Sequence, residues 1–223
     1  MSLVLLEQEI EIPTIHGLDE FRRWALSDAF PGRGRIDYIG GRIEVDMSPE
    51  DLFTHGTLKL QLSSRIEDRV AELDIGHGFV GETRISSIPA NLSAEPDVVV
   101  VTYDAIDSGR VRLVPKASER QGRYIEIEGG PDLVAEIVSD SSVGKDTRRL
   151  PRAYFSAGVK EFWLVDARGD ELFFQIHRRD AAAFIAAEVD EEGYQRSDVL
   201  DAWYSLERGQ HQRGHWVYRL QLK

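Results

Sequence analysis

Three apolar segments of the chain have the pattern of strands that are buried on both faces of a sheet. They cover residues 98–101, 132–138 and 160–166. Each is short, rich in valine, leucine or aromatic residues, and bounded by polar or turn-forming residues. Around Gly40 and Gly41 apolar residues instead alternate with polar ones, which predicts a β-hairpin over residues 36–47.

Helical spacing of apolar residues marks three further segments. Leucine, isoleucine and valine recur at intervals of three and four from residue 58 to residue 73, which predicts a long helix with one buried face. A shorter amphipathic pattern covers residues 18–26. A third helix is expected between Ser139 and Gly158, and Pro151 leaves its exact start open. Strands and helices therefore mix along the chain, which is typical of an α/β (α+β) fold.

The length of 223 residues suits one compact domain, and no internal repeat or linker divides it. We therefore expect a single domain over residues 1–223. Within it, residues 1–34 are expected to form an N-terminal helical extension. Residues from about 190 to 223 have a weaker pattern and are expected to form a C-terminal extension.

Composition narrows the classes of function. The formal net charge is −12 and the chain has no cysteine, so disulfides, thiolate zinc sites and cysteine nucleophiles are excluded. A chain this acidic is repelled by nucleic acid unless its basic residues cluster locally. The N-terminus lacks the pattern of a signal peptide and no segment has the length of a membrane span, so we expect a cytoplasmic protein without membrane contact.

Two acidic residues belong to very apolar strands and are the first candidates for chemistry. Asp97 directly precedes one strand and Glu136 lies inside another. Burial of a carboxylate is costly unless it is paired or bound to a cation, so neighbouring strands would bring both acids onto one divalent metal ion. Glu44, in the predicted hairpin, is the natural third carboxylate. The alternative is that each acid is solvated or forms a salt bridge with an arginine.

A basic segment follows the second of these strands. It contains Lys145, Arg148, Arg149 and Arg152. On a helix their spacing of three and four forms one basic stripe, which would suit the phosphates of a nucleic acid. His55, at the entrance of the long helix, is a further candidate for contact with metal or phosphate. The structural alternatives are a solvated helix face and a capping or core histidine.

Several short motifs follow one another in a characteristic order. They are residues 41–49 (GRIEVDMSP), His55, residues 96–101 (PDVVVV), residues 131–139 (PDLVAEIVS), Asp146, Tyr154, residues 157–159 (AGV) and residues 161–166 (EFWLVD). Together they resemble the Uma-two family of restriction-endonuclease-like proteins, over roughly residues 36–177. That family is placed in the PD-(D/E)xK nuclease superfamily, whose core is a mixed β-sheet flanked by helices.

The resemblance implies a restriction-endonuclease-like fold and an endonuclease that hydrolyses DNA with Mg²⁺ or Mn²⁺. Asp97 and Glu136 then correspond to the two metal carboxylates, with Glu44 as an outer ligand. The superfamily has a lysine two residues after the second acid, where this chain has Val138. Lys145, on the following helix, is the residue expected to take over that role.

Other functions stay open at this point. Val138 favours a catalytically inactive protein that keeps the nuclease fold and acts in binding or regulation. A hydrolase of sugars or small phosphoesters needs only an acidic pair in a cleft. If the chain is a nuclease, a homodimer would align two basic helices in one groove and offset the acidic charge. The expected partners are therefore DNA and a second copy of the chain.

Overall fold

The computed structural model describes residues 11–116 and 122–223, which contain three β-sheets and four α-helices. The helices are α1 (Leu18–Ala25), α2 (Thr57–Leu73), α3 (Tyr103–Asp107) and α4 (Leu150–Ala157), and π-helical turns at Leu52–Gly56 and Lys145–Arg149 precede α2 and α4. The strands are β1 (Arg35–Ile39), β2 (Arg42–Asp46), β3 (Gly76–Val80), β4 (Arg84–Ser87), β5 (Leu92–Ala94), β6 (Val98–Thr102), β7 (Val111–Pro115), β8 (Tyr124–Gly129), β9 (Leu133–Ile137), β10 (Glu161–Asp166), β11 (Phe173–Arg179), β12 (Phe184–Ala186), β13 (Gln195–Ser197), β14 (Ala202–Gln210) and β15 (Trp216–Leu222). The first ten residues of the predicted N-terminal extension lie outside the described residues.

The central sheet has six strands in the order β12-β11-β10-β9-β6-β3. Strands β9 and β10 run parallel, whereas β6 runs antiparallel to β9, so the sheet is mixed. The three segments predicted as buried strands are β6, β9 and β10, which are neighbours in the middle of this sheet. That prediction is confirmed, because their alternate residues pack into cores on opposite faces of the sheet.

The two faces of the central sheet are covered by different elements. The face that carries Val98 and Val100 packs against α2, whose buried residues follow the predicted stripe from Leu58 to Val70. The opposite face packs against α4 and against a second six-stranded sheet, here called the N-terminal sheet, with the order β2-β1-β5-β4-β8-β7. The result is a mixed α+β fold in which helices and a second sheet flank the central sheet.

The N-terminal sheet contains the predicted hairpin. Strands β1 and β2 pair antiparallel and are joined by Gly40 and Gly41, whose φ angles of 57° and 89° suit glycine. Helix α1 covers this sheet by packing Phe21 and Trp24 against β1. The hairpin and the covering helix predicted from the sequence are both confirmed.

The C-terminal residues form a third, antiparallel sheet with the order β13-β14-β15. Tyr204, Tyr218 and Leu220 of this sheet pack into the same core as α2 and the central sheet. The C-terminal segment therefore contributes to the main core, while the number of domains stays a prediction. No helix in the described part of the chain is long and apolar enough to cross a membrane.

The basic segment before α4 differs from the sequence prediction. Helix α4 begins at Leu150 with Pro151 in its first turn and ends at Ala157. It is capped by Gly158, which has the left-handed φ of 94° expected of a glycine after a helix. The prediction of one continuous basic stripe is wrong, because Lys145 is only 5% exposed while Arg148, Arg149 and Arg152 face solvent. The π-helical turn Lys145–Arg149 changes the rotation per residue, so the spacing rule of an α-helix does not hold there.

Candidate active site

Asp97 and Glu136 lie opposite each other where the neighbouring central strands β6 and β9 pair. Val98 pairs with Ala135 in the antiparallel β6–β9 ladder, so one further step places Asp97 opposite Glu136. Both side chains are completely buried. The backbone N–H of Ile137 also donates to Oδ2 of Asp97 at 2.8 Å. The structure therefore brings together the two acids that the apolar strands single out.

Asp97 is surrounded by cations. Its Oδ1 accepts a hydrogen bond from Nη2 of Arg35 at 2.8 Å and lies 3.2 Å from Nζ of Lys59. Its Oδ2 lies 3.5 Å from Nε2 of His55. Burial raises the pKa of Asp97, but the contact with His55 and the charges of Arg35 and Lys59 outweigh it and hold the pKa well below its usual range. Asp97 is therefore ionised.

Glu136 has the opposite electrostatic environment. Burial raises its pKa well above the usual value, and the nearby charges of Asp146 and Asp97 raise it further, against the opposing charges of Arg35 and Lys145. The hydroxyl of Tyr154 donates to Oε1 of Glu136. Among the described residues, Oε2 has no hydrogen-bond partner. Two adjacent acids thus differ in protonation, one favouring the ionised form and the other the neutral form.

Lys145 lies near this pair but bonds to a different acid. Its Nζ donates to Oδ2 of Asp37 at 2.9 Å, and both side chains are buried. Burial opposes the charge of Lys145, but Asp37 and Glu136 together raise its pKa. Asp146 lies in the same cluster, where burial raises its pKa to about 6 against the charge of Lys145. Lys145 therefore balances charge inside the cluster from a position bound to β1.

Glu44 lies one strand further from the cluster than Asp37. The two residues are paired across the hairpin, and β2 is the edge strand of the N-terminal sheet. Both carboxylate oxygens of Glu44 accept hydrogen bonds from Arg149, at 2.6 and 2.7 Å. Arg148 and Arg152 are exposed nearby in the chain. The structure thus joins Glu44 to the basic segment and places Asp37 beside Lys145.

A cleft of about 350 Å³ opens next to Asp97. Its lining includes the polar residues Arg35, Asp46, Glu50, His55, Lys59, Ser139 and Ser141. Asp97 and Glu136 lie behind this lining, since neither is exposed. A ligand that enters the cleft would therefore meet the cations that surround Asp97 before it meets either acid.

The donor groups of this region fit a divalent metal ion. Glu50, His55 and Asp97 each offer one ligand atom, and these atoms lie within 4.8 Å of one another. Two buried atoms beside them, Nδ1 of His55 and Oε2 of Glu136, have no hydrogen-bond partner among the described residues. Carboxylate oxygens and an imidazole nitrogen are the ligands that divalent cations take in proteins.

Comparison with known proteins places the chain in a family. The sequence profile of Uma2, described as "Putative restriction endonuclease", matches residues 18–207. The chain belongs to the Uma2 family. A comparison with the curated proteins found no match. The resemblance carried by the sequence motifs is therefore confirmed at the level of the family.

A solved structure shares the fold of this Uma2 protein. It is the crystal structure of a protein from Anabaena variabilis ATCC 29413, described as "a putative nuclease belonging to DUF820". The two chains are 22% identical and superpose with a TM-score of 0.61, over 83% of this chain and 90% of the other. The match confirms the predicted nuclease-like fold of mixed sheets flanked by helices.

Four residues of the site in this Uma2 protein were missed by the sequence analysis. They are Arg35, Asp37, Glu50 and Lys59. A signal existed for Lys59, because it follows His55 closely at the start of α2 and is a cation near a candidate ligand. Arg35 and Asp37 gave no such signal, since β1 reaches the cluster through tertiary contacts with Asp97 and Lys145.

Proposed function

We propose that this Uma2 protein is an endonuclease that hydrolyses DNA phosphodiester bonds with the help of Mg²⁺ or Mn²⁺. The observation that carries the proposal is the buried pair of Asp97 and Glu136 on adjacent central strands, next to a cleft in which Arg35 and Lys59 lie among several carboxylates. Buried acids whose pKa values are shifted in opposite directions are typical of functional sites. Membership of the Uma2 family supports the same chemistry.

Each side chain has a role that follows from its position in the site. Asp97 and Glu136 would hold the metal ion, which when bound polarises a phosphodiester and lowers the pKa of a water molecule. Arg35 and Lys59 face the cleft and can meet a phosphate there. Lys145, held by its bond to Asp37, favours the ionised form of Glu136 against burial, so it acts as a positioning residue. Glu44 stays outside this metal set because Arg149 occupies both of its oxygens.

The exposed arginines of the basic segment are the proposed DNA-binding residues. Arg148 and Arg152 face solvent, and Arg149 is partly neutralised by Glu44. Replacing Arg148 and Arg152 with alanine should weaken DNA binding and lower the slope of log affinity against log salt by about one for each phosphate that is no longer neutralised. An unchanged slope in this double variant would exclude the basic segment from the interface. Because the net charge is −12, we propose that a homodimer combines two such segments.

A catalytically inactive DNA-binding protein is the second candidate. Position 138 is a buried valine, and Lys145 is held by Asp37. Asp97 is already neutralised by Arg35 and Lys59. These contacts favour a protein that keeps the fold and the charged cluster without cutting DNA.

A cleavage assay separates the two candidates. Plasmid and single-stranded DNA would be incubated with Mg²⁺ or Mn²⁺ and the wild type, Asp97→Asn or Glu136→Gln. Glu161→Gln is the matched control, because Glu161 is also a buried glutamate of the central sheet but pairs with Leu133, three residues from Glu136. That separation along a strand is about 10 Å.

We expect the wild type and Glu161→Gln to cut DNA and both site variants to lose cutting, with folding checked by circular dichroism. A folded wild type that binds DNA without cutting it would favour the inactive candidate. A folded wild type that neither cuts nor binds DNA would refute both.

A further inference from the structure

His55 lies between two carboxylates at the entrance of α2. Its Nδ1 is 3.5 Å from Oε2 of Glu50, and its Nε2 is 3.5 Å from Oδ2 of Asp97. The side chain is 4% exposed, and Nδ1 has no hydrogen-bond partner among the described residues. A buried polar atom without a partner is costly. Nδ1 faces Glu50 and Nε2 faces Asp97, and one donor atom from each of the three residues lies within 4.8 Å of the other two, so the group can share one ligand.

The local sequence fixes these groups in place. Asp51 caps the π-helical turn Leu52–Gly56 by accepting hydrogen bonds from the N–H groups of Phe53 and Thr54, at 2.9 and 2.6 Å. This cap holds Glu50 just before the turn and His55 inside it. Lys59 follows in the first turn of α2. The donor groups are thus presented by a capped helix entrance and a buried strand end.

Lys59 already places a positive charge between the same two acids. Its Nζ donates to Oε1 of Glu50 and lies 3.2 Å from Oδ1 of Asp97. The lysine side chain is 16% exposed and Asp97 is buried, so solvent screens the contact between Lys59 and Asp97 weakly. A metal ion held by Glu50 and Asp97 would meet the repulsion of this ammonium group. Metal and Lys59 must therefore compete for the two carboxylates.

We propose that Glu50, His55 and Asp97 bind a divalent first-row transition metal ion, and that Lys59 is the competing cation of this site. The inference rests on the proposed function in sharing Asp97, and it adds Glu50 and His55 as ligands. The imidazole ligand sets the metal class, since Mg²⁺ prefers oxygen ligands whereas transition ions accept nitrogen. The site should therefore prefer Mn²⁺ to Mg²⁺.

The test measures Mn²⁺ binding in the absence of DNA. Free Mn²⁺ is followed by electron paramagnetic resonance during titration of the wild type, Glu50→Gln, His55→Ala and Lys59→Met. Lys160→Met is the matched control, because Lys160 also pairs with a buried aspartate, Asp132, at 2.9 Å and removes the same unit of charge. Glu50 is half exposed, so Glu50→Gln remains informative if His55→Ala fails to fold.

We expect Glu50→Gln and His55→Ala to weaken Mn²⁺ binding by about tenfold or more, and Lys59→Met to strengthen it by about tenfold, against little change in Lys160→Met. The nitrogen modulation of bound Mn²⁺ in an electron spin echo experiment should disappear in His55→Ala. If only the net charge mattered, the Mn²⁺ affinity would instead change equally in Lys59→Met and Lys160→Met.

The opposite results overturn the inference. Mn²⁺ binding that depends on Asp97 and Glu136 but is unchanged in Glu50→Gln and His55→Ala would leave the proposed nuclease site standing and remove Glu50 and His55 from it. An affinity that falls or stays constant in Lys59→Met would refute the competition. A folded wild type that binds no Mn²⁺ would refute the inference as a whole, while DNA cleavage with Mg²⁺ tests the proposed function separately.

Discussion

The buried ion pair of Lys145 and Asp37 can be tested by a double-mutant cycle. Lys145 is 5% exposed and Asp37 1%, with 2.9 Å between Nζ and Oδ2. At an effective dielectric constant of about 20, their attraction is about 6 kcal/mol before the cost of removing both charges from water. Lys145→Met leaves a buried carboxylate without its partner, so we expect the free energy of unfolding to fall by about 3–5 kcal/mol.

Urea denaturation of the full chain would compare Lys145→Met, Asp37→Asn and the double variant. Asp37→Asn keeps an oxygen that can accept the Glu95 N–H, which Oδ1 of Asp37 now accepts at 3.0 Å. Because the double variant buries neither charge, we expect its loss to be smaller than the sum of the single losses by about 3 kcal/mol.

An exposed pair provides the control for this cycle. Arg112 contacts Glu128 at 2.8 Å, but the arginine side chain is 62% exposed, so Arg112→Met should cost less than about 1 kcal/mol. Single losses that add within about 0.5 kcal/mol would show that Lys145 and Asp37 are not coupled. A loss in Lys145→Met as small as that of Arg112→Met would show that solvent screens the pair, and would refute the reasoning from burial.

Three further predictions concern the stability of the fold. Tyr154→Phe removes the hydroxyl that donates to Glu136 and should lower the free energy of unfolding by about 1–3 kcal/mol in urea denaturation, whereas an unchanged value would exclude this bond. Gly130→Ala would push a Cβ into backbone atoms at the end of α4 and should cost about 1–3 kcal/mol. Gly32→Ala, with open space around it, should be neutral in the same assay. Burial raises the pKa of Asp132, but its bonds with Lys160 and Thr102 and the charge of Arg110 outweigh burial and lower it. The stability that Asp132 contributes is thus present above its unfolded pKa and is lost as pH falls. The difference in unfolding free energy between wild type and Asp132→Asn should therefore narrow below about pH 4. A difference that does not depend on pH would contradict this prediction.

The central sheet could be predicted because its signal is local. The valines of β6 face two different cores, so a continuous apolar run is the pattern that such a strand requires. The N-terminal sheet gave no comparable signal, since β5 has three residues and β4 pairs in parallel with β8, about forty positions along the chain. Pairings between short, distant strands depend on tertiary packing and cannot be deduced from periodicity.

The candidate site was partly predictable for the same reason. An acid in a valine-rich strand is conspicuous, so Asp97 and Glu136 could be named from the sequence. The direction of the Lys145 side chain could not be predicted, because it depends on a π-helical turn that the residue spacing does not reveal. The choice between Glu44 and Asp37 depended on strand order, since the two are paired across the hairpin and only Asp37 lies on the inner strand.

The position of the cations links the two ligands that the proposals invoke. Arg35 and Lys59 neutralise Asp97 and also line the cleft, so a phosphate that enters would draw on the same positive charges. Each hydrogen bond that they give to a phosphate weakens their hold on Asp97 and makes that carboxylate a better metal ligand. By linkage, a metal ion that displaces Lys59 must then favour phosphate binding by the same factor. An uncleavable oligonucleotide added to the Mn²⁺ titration should therefore raise Mn²⁺ affinity in the wild type and have less effect in Lys59→Met, where the shared cation is missing.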